Sequence, residues 1–297
     1  MPLAMGSFLN IYAFLSFMWN QLKTAFFLGL LMGLFLFIGS FFGTTGLTIA
    51  LIFGFGFNFI QYFFSDKIVL AMYRAKELNK NQAPNLHKMI EDICKKANMP
   101  KPKKVCLIPS DAANAFCTGR GPSHYVVAVT QGILNLLTNE ELKGVLAHEI
   151  GHAKNRDVLV ATIAASIAGV IVYLANMARW GAMFGSRDEN GNSNVVSLLI
   201  LSILAPIAAV IIQLAISRSR EYLADSTGAR IIKNPLALAS ALNKLENGAK
   251  ARPLRFGSKA AASLFIVNPF SGRALINLFS THPPLNARIK RLKEMEF

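Results

Sequence analysis

Charge is scarce in this chain. Only 16% of its 297 residues are charged, against about 25% in a soluble domain. Acidic residues are the scarcer sign, 16 against 31 Lys and Arg. Cysteine is nearly absent. Cys94, Cys106 and Cys117 are odd in number and contain no C-x-x-C pair, which excludes a disulfide framework and argues against a thiolate metal site. No basic residue precedes the apolar N-terminal stretch, so a secretory signal peptide is not expected. What is abundant is apolar: 53% hydrophobic residues, including 22 Phe, and a mean hydropathy of +0.40. Such a chain is neither disordered nor an ordinary cytosolic globule.

From Thr24 to Ser65 there are 42 residues without a charge, about the length of two membrane spans. Residues 40–46 (S-F-F-G-T-T-G) interrupt the aliphatic run as a turn. Spans are therefore expected at 24–41 and 46–64, within a 24–64 membrane unit. A third is expected within 158–178 and a fourth within 190–217, apolar from Val195, where Pro206 is tolerable as a kink. In residues 1–23, Phe8, Ile11, Tyr12, Leu15, Met18, Trp19 and Leu22 recur at helical spacing. This reads as an interfacial helix in preference to a fifth span. The polar stretches 65–157 and 218–297 carry 28 basic residues, whereas the connection 179–194 carries two. Basic flanks stay inside, so both polar stretches are expected in the cytoplasm. Their basic residues are scattered, which makes the charge a topology signal and argues against nucleic-acid binding. Gly29-x-x-x-Gly33 fits a helix-packing pattern but specifies no oligomeric state.

In the first polar stretch, residues 67–80 read as helical. Leu86, Met89, Ile90, Ile93 and Ala97 form one face of a second helix after Pro84. Strand-like runs at 104–109, 114–117 and 125–130, parted by turn residues at 110–111 and 119–123, predict a small antiparallel sheet. Thr138 and Glu141 form a capping box that opens a helix. No Pro interrupts before Ala178, so that helix is expected to run on into the third span.

On that helix stands His148-Glu149-Ile150-Gly151-His152. Residues four apart share a helix face, so the two imidazoles can hold one Zn²⁺, with Glu149 beside them as the base for the attacking water. A catalytic zinc site has three protein ligands. The other histidines are His87, His124 and His282; the other acids include Asp157, Glu221 and Asp225. His152 precedes the third expected span by six residues, and Glu221 follows the fourth by four. Both then lie about 6–10 Å beyond one membrane face, which selects Glu221 as third ligand and leaves Asp157 without a part. Asp225, one turn on, is placed to accept an N–H from a liganding imidazole.

H-E-I-G-H at 148–152, E-Y-L-A-D at 221–225, N-A-F-C-T-G at 114–119 and T-H-P-P at 281–284 together resemble the HtpX-like integral-membrane zinc metalloproteases, relatives of the CAAX prenyl proteases. The resemblance runs from about residue 24 to the end. It implies a mainly α, polytopic membrane protein with four core transmembrane helices and a cytoplasmic α+β zincin-like catalytic domain. It further implies an endopeptidase with one catalytic Zn²⁺ on His148, His152 and Glu221, Glu149 as base and Asp225 in support. The setting would be membrane-protein quality control and stress response in a bacterial inner membrane. Residues Asn114, Ala115, Phe116 and Cys117 correspond to an edge strand that pairs with polypeptide substrate, and His282 to a residue near the cleft that assists catalysis. An edge strand does offer unpaired N–H and C=O groups to an extended peptide. Cys117 departs from the small Ala usual there, and residues 1–22 extend the usual N-terminus. Arg288, on a helix after Pro283-Pro284, is within reach of a ligand carboxylate.

Two alternatives use other features. A prenyl-protein (CAAX-type) processing protease shares the chemistry, but four spans are few for a large enclosed chamber. A non-enzymatic zinc transporter or sensor would place ionisable residues inside its spans, and none of the four expected spans contains one.

Overall fold

The structure is a computed structural model that describes residues 43–163, 218–251, 264–267 and 283–296, most of 22–40, and residue 167. Helix α1 (Leu22–Phe37) and helix α2 (Gly43–Met72) meet near the expected turn. There Gly43 takes φ +69°, a conformation glycine reaches without strain. The pair packs closely: Asn58 Nδ2 donates to Leu28 O at 3.1 Å, and Phe35 meets Phe53 and Phe57 edge-on. Among the described residues α2 alone is long and apolar enough to cross a membrane. Its 30 residues reach about 45 Å at 1.5 Å each, more than the ~30 Å hydrocarbon core. The helix accordingly overruns the expected end at 64 and carries Asp66 and Lys67 past the apolar part. Exposed Ile49, Ile52, Phe55 and Phe59 give it a surface suited to lipid. Residues 1–21 and the bulk of the expected spans at 158–178 and 195–217 lie outside the described residues.

After α2 the chain turns at Arg74 (φ +53°), so the helix expected over 67–80 stops at Met72. Strand β1 (Lys76–Glu77) follows, then helix α3 (Pro84–Ala97), β2 (Lys104–Ile108), β3 (Ala115–Gly121) and β4 (His124–Thr130). The spatial order is β1-β2-β4-β3. The sheet is mixed, which corrects the antiparallel expectation: β2 and β4 run parallel, and the other two pairings are antiparallel. The reason is positional. β3 and β4 form a tight hairpin with β3 outermost, so β4 is left to pair with β2 in the same direction. The hairpin loop is only Pro122–Ser123, shorter than the expected turn. It is made possible by Gly119, at φ +142°, where a Cβ would stand 2.2 Å from His124 O.

Both faces of the sheet are covered, which is why its strands lack polar alternation. Val105, Cys117, Tyr125, Val127 and Val129 pack toward the helices that follow in the polar stretches. Cys106, Ile108, Phe116, Val126 and Ala128 pack on Val69 of α2, on Tyr73 just after it and on Phe265. At about 1.5–3 kcal/mol per large buried side chain, this second cluster fastens the sheet to the end of α2.

Helices α4 (Gln131–Leu136), α5 (Asn139–Lys154), α6 (Arg218–Ile232), α7 (Pro235–Ala251) and α8 (Leu285–Lys293) complete the described elements. α5 opens with the capping box: Glu141 accepts from Thr138 N at 2.9 Å, and Glu141 N donates to Thr138 Oγ1 at 3.4 Å. The same carboxylate takes Ser240 Oγ at 2.7 Å and Lys244 Nζ at 2.8 Å, tying α5 to α7. Burial alone would raise the Glu141 carboxyl. The Lys244 ammonium and the Thr138 and Ser240 donors outweigh it and hold it at about 2, below the ordinary 4.5. A folded-state pKa below the unfolded one stabilises above pH 4.5 and is lost as pH falls toward 2. Glu141→Ala is therefore expected to cost about 1–3 kcal/mol near neutral pH, with a smaller deficit in acid. Melting curves of both proteins in detergent at pH 7 and pH 3 check this; an equal deficit at the two values would contradict it.

Candidate active site

His148, Glu149 and His152 occupy the last turns of α5. The helix does not run on into the third expected span. Its last residue is Lys154; Asn155 N donates to Gly151 O at 2.8 Å, Arg156 turns left-handed at φ +59°, and helix resumes at 158–163. α6 crosses α5 closely because small residues line the contact. A Cβ at Gly228 would lie 2.7 Å from His148 N, and one at Gly151 3.2 Å from Ala224 O. A larger side chain at 228 would drive the helices apart and carry Glu221 away from the histidines.

At this crossing His148 Nε2 and His152 Nε2 lie 3.2 Å apart. Glu221 Oε2 is 3.8 Å from the first and Oε1 3.5 Å from the second. One donor atom from each of the three residues falls within 4.8 Å of the others. The far side of each imidazole meets a carboxylate. Asp225 Oδ1 lies 2.9 Å from His148 Nδ1, and both Asp157 oxygens lie 3.2 Å from His152 Nδ1. The Nδ1 proton that His152 shares with Asp157, and the Asp225 carboxylate beside His148 Nδ1, favour Nε2 lone pairs that face one another and Glu221. Two imidazole nitrogens and a carboxylate converging in this way suit a divalent metal such as zinc.

Arg288 stands behind the cluster with no exposed surface. Its Nε and Nη2 grip Asp225 at 2.8 and 2.7 Å, Nη1 donates to Ile266 O at 3.0 Å, and Nη1 is 3.5 Å from Glu221 Oε2. Burial works against the charge of Asp225, but Arg288 outweighs it and keeps the carboxyl at about 2. A buried arginine with no acid beside it would be prohibitively costly, so Arg288 and Asp225 require each other.

Glu149 is buried and borders a pocket that Cys117, His152, Asp157, Glu221 and Phe265 also line. Burial pushes its carboxyl up to about 8; His152 pulls the other way and Glu221 adds to the rise. Cys117 of β3 lines the same pocket, so the strand and the acid face the same space. Burial also raises the Cys117 thiol, which makes it a wall and not a nucleophile.

β3 is an edge of the sheet, yet its outer side is engaged at one end. Ala115 O accepts from Ile266 N at 3.3 Å, and Asn114 Nδ2 donates to Val267 O at 2.6 Å. Phe116 points to the opposite face, 5.1 Å from Phe265 and 5.7 Å from Tyr73 between ring centres. His282 lies outside the described residues. Sequence reasoning weighed Asp157 among the acids and gave it no part. Its signal was an acid five residues beyond the second histidine, which matters only once the helix is known to break between them.

Comparisons with known proteins give the family. Residues 80–296 match peptidase family M48. The chain is 52% identical to a "Protease HtpX homolog" of Desulforapulum autotrophicum, covering 93% of this chain and 90% of that protein. It is 53% identical to one of Persephonella marina over 93% and 97% of the two chains. A third, of Pyrococcus furiosus, is 52% identical over 92% and 94%. Among solved structures, a crystal structure of S. mikatae Ste24p aligns at 20% identity with a TM-score of 0.49, over 95% of this chain and 67% of that one. A match over most of the chain, joined to relatives at half identity along nearly their whole length, makes this protein a member of peptidase family M48, an HtpX-like membrane-associated metalloprotease.

Proposed function

We propose that this metalloprotease is a zinc endopeptidase that works at the cytoplasmic face of the plasma membrane and cleaves misfolded or damaged polypeptides, membrane proteins among them. The observation that carries the reading is the convergence of His148, His152 and Glu221 within 4.8 Å, with Glu149 buried at the edge of the same pocket. His148 and His152 through Nε2, and Glu221 through its carboxylate, would hold the ion. Zinc, when bound, polarises the scissile carbonyl and acidifies the attacking water. Glu149 takes the proton of that water and later gives it to the leaving amine. Burial raises the proton affinity of the Glu149 carboxyl, which strengthens it as a base, and a divalent ion held by the neighbouring ligands would favour its ionised form. The substrate backbone extends along the outer edge of β3, beside Cys117, and His282 assists at the developing oxyanion. Purified protein in detergent, given an unfolded polypeptide, should cleave it with zinc and stop with a chelator; cleavage that persists in zinc-depleted protein would overturn the reading.

Four core spans, with both halves of the catalytic part on the cytoplasmic side, are supported by the basic residues, 28 in the two polar stretches against two in the connection 179–194. The three native cysteines are buried, so single introduced cysteines report cleanly. Impermeant thiol reagent added to intact cells is expected to label Asn192→Cys and to miss Lys101→Cys and Lys259→Cys. Labelling of either of the last two from outside reverses the topology.

A further inference from the structure

We infer that Asp157 is a positioning residue of the metal site: its carboxylate holds His152 Nδ1–H and turns Nε2 toward His148 and Glu221. The inference rests on the metal-binding reading of those three residues, and the contacts single out this acid. Both Asp157 oxygens are 3.2 Å from His152 Nδ1, and Asp157 is buried, 3% exposed. A buried carboxylate straddling one imidazole N–H has no competing water to solvate it, so the pair is held in one orientation. It also selects the tautomer, because a proton on Nδ1 leaves Nε2 as a lone pair.

The backbone is bent to bring this about. Were α5 to continue, residue 157 would lie five positions on from His152, about 140° around the axis, and its side chain would leave on another face. The left-handed turn at Arg156 (φ +59°) folds the chain back. Asp157 N then reaches His152 O at 3.4 Å, and Ala161 N donates to Asp157 O at 3.3 Å as the next helical segment begins. Arg220, the neighbour of Glu221, reaches Asp157 O with Nη1 at 3.5 Å. Asp157 is thus where the HExxH helix, the following membrane-directed segment and the helix bearing the third ligand come together. His148 has the matching arrangement with Asp225, 2.9 Å from its Nδ1, so each histidine is backed by its own carboxylate.

Removing the partner behind a liganding histidine costs metal affinity about 10–100-fold. The experiment uses the full chain in detergent, stripped of metal, and titrates zinc against a chromogenic chelator. Asp157→Ala should bind zinc about 10–100-fold more weakly than wild type. Asp157→Asn keeps the shape and one acceptor oxygen, and should fall between the two. The melting temperature of the metal-free proteins separates positioning from mere structure, and the isosteric Asn variant serves if the Ala variant does not fold. Zinc binding by both variants within twofold of wild type, or a lowered metal-free melting temperature with unchanged zinc affinity, overturns the inference. The site reading itself is tested by His152→Ala in the same titration. If that variant keeps wild-type affinity, the error lies in the ligand set and not in Asp157 alone.

Discussion

Glu149→Gln is expected to lower peptide hydrolysis by about 10²–10⁴ while leaving zinc in place. The loss corresponds to roughly 3–5.5 kcal/mol of barrier. Glu149 is one residue from His148, about 100° around α5, and so is turned off the face that His148 and His152 share. From that position it borders the pocket that Cys117 also lines. The glutamine is nearly the same shape, but it cannot take a proton from water. Zinc content and hydrolysis measured on one purified sample decide the matter. Hydrolysis at the wild-type rate would remove the proposed base. A folded variant that had lost its zinc would put Glu149 among the ligands.

Glu221→Ala is expected to lose both metal and activity. Its carboxylate oxygens lie 3.5 and 3.8 Å from the two Nε2 atoms, and no other described acid completes that cluster. Zinc affinity should drop by more than the roughly 10–100-fold that follows loss of a residue behind a ligand. The fold should survive, because Arg288 keeps its paired bonds to Asp225 and its bond to Ile266 O. Zinc content by metal analysis, beside a melting curve, checks the expectation. A folded Glu221→Ala protein with full zinc would sink the assignment.

What could be read beforehand was what local chemistry determines. The capping box at Thr138 and Glu141 starts α5 where the sequence says it should, because a cap involves only residues three apart. His148 and His152 meet by helix periodicity, and Asp225 reaches His148 because it stands one turn beyond Glu221. Asp157 was not legible, since its approach to His152 depends on Arg156 adopting a positive φ, and nothing in an arginine announces that. The parallel pairing of β2 with β4 was not legible either. Three strands in succession suggest a meander, and only the outward placement of β3 changes the order. Arg288 could be suspected of reaching a carboxylate. That it is fully buried and contacts three partners depends on residues between 22 and 67 positions away, beyond any periodicity.

The contacts of Asn114 and Ala115 with residues 266–267 bear on how a substrate strand would gain affinity. A peptide arriving at that end of β3 does not meet free backbone groups. Ala115 O already accepts from Ile266 N, and the Asn114 amide is spent on Val267 O. Pairing there would be an exchange of one strand for another, in which bonds worth about 0.5–1.5 kcal/mol each are broken as others form. Such an exchange is near break-even in hydrogen bonds, so discrimination passes to whatever the incoming chain brings besides its backbone. A folded protein, whose own backbone is already paired, has nothing to gain from it. An unfolded chain with apolar side chains able to replace Ile266 and Val267 would lose nothing, and an edge strand that received substrate would then sort clients by their state of folding before any bond was cut.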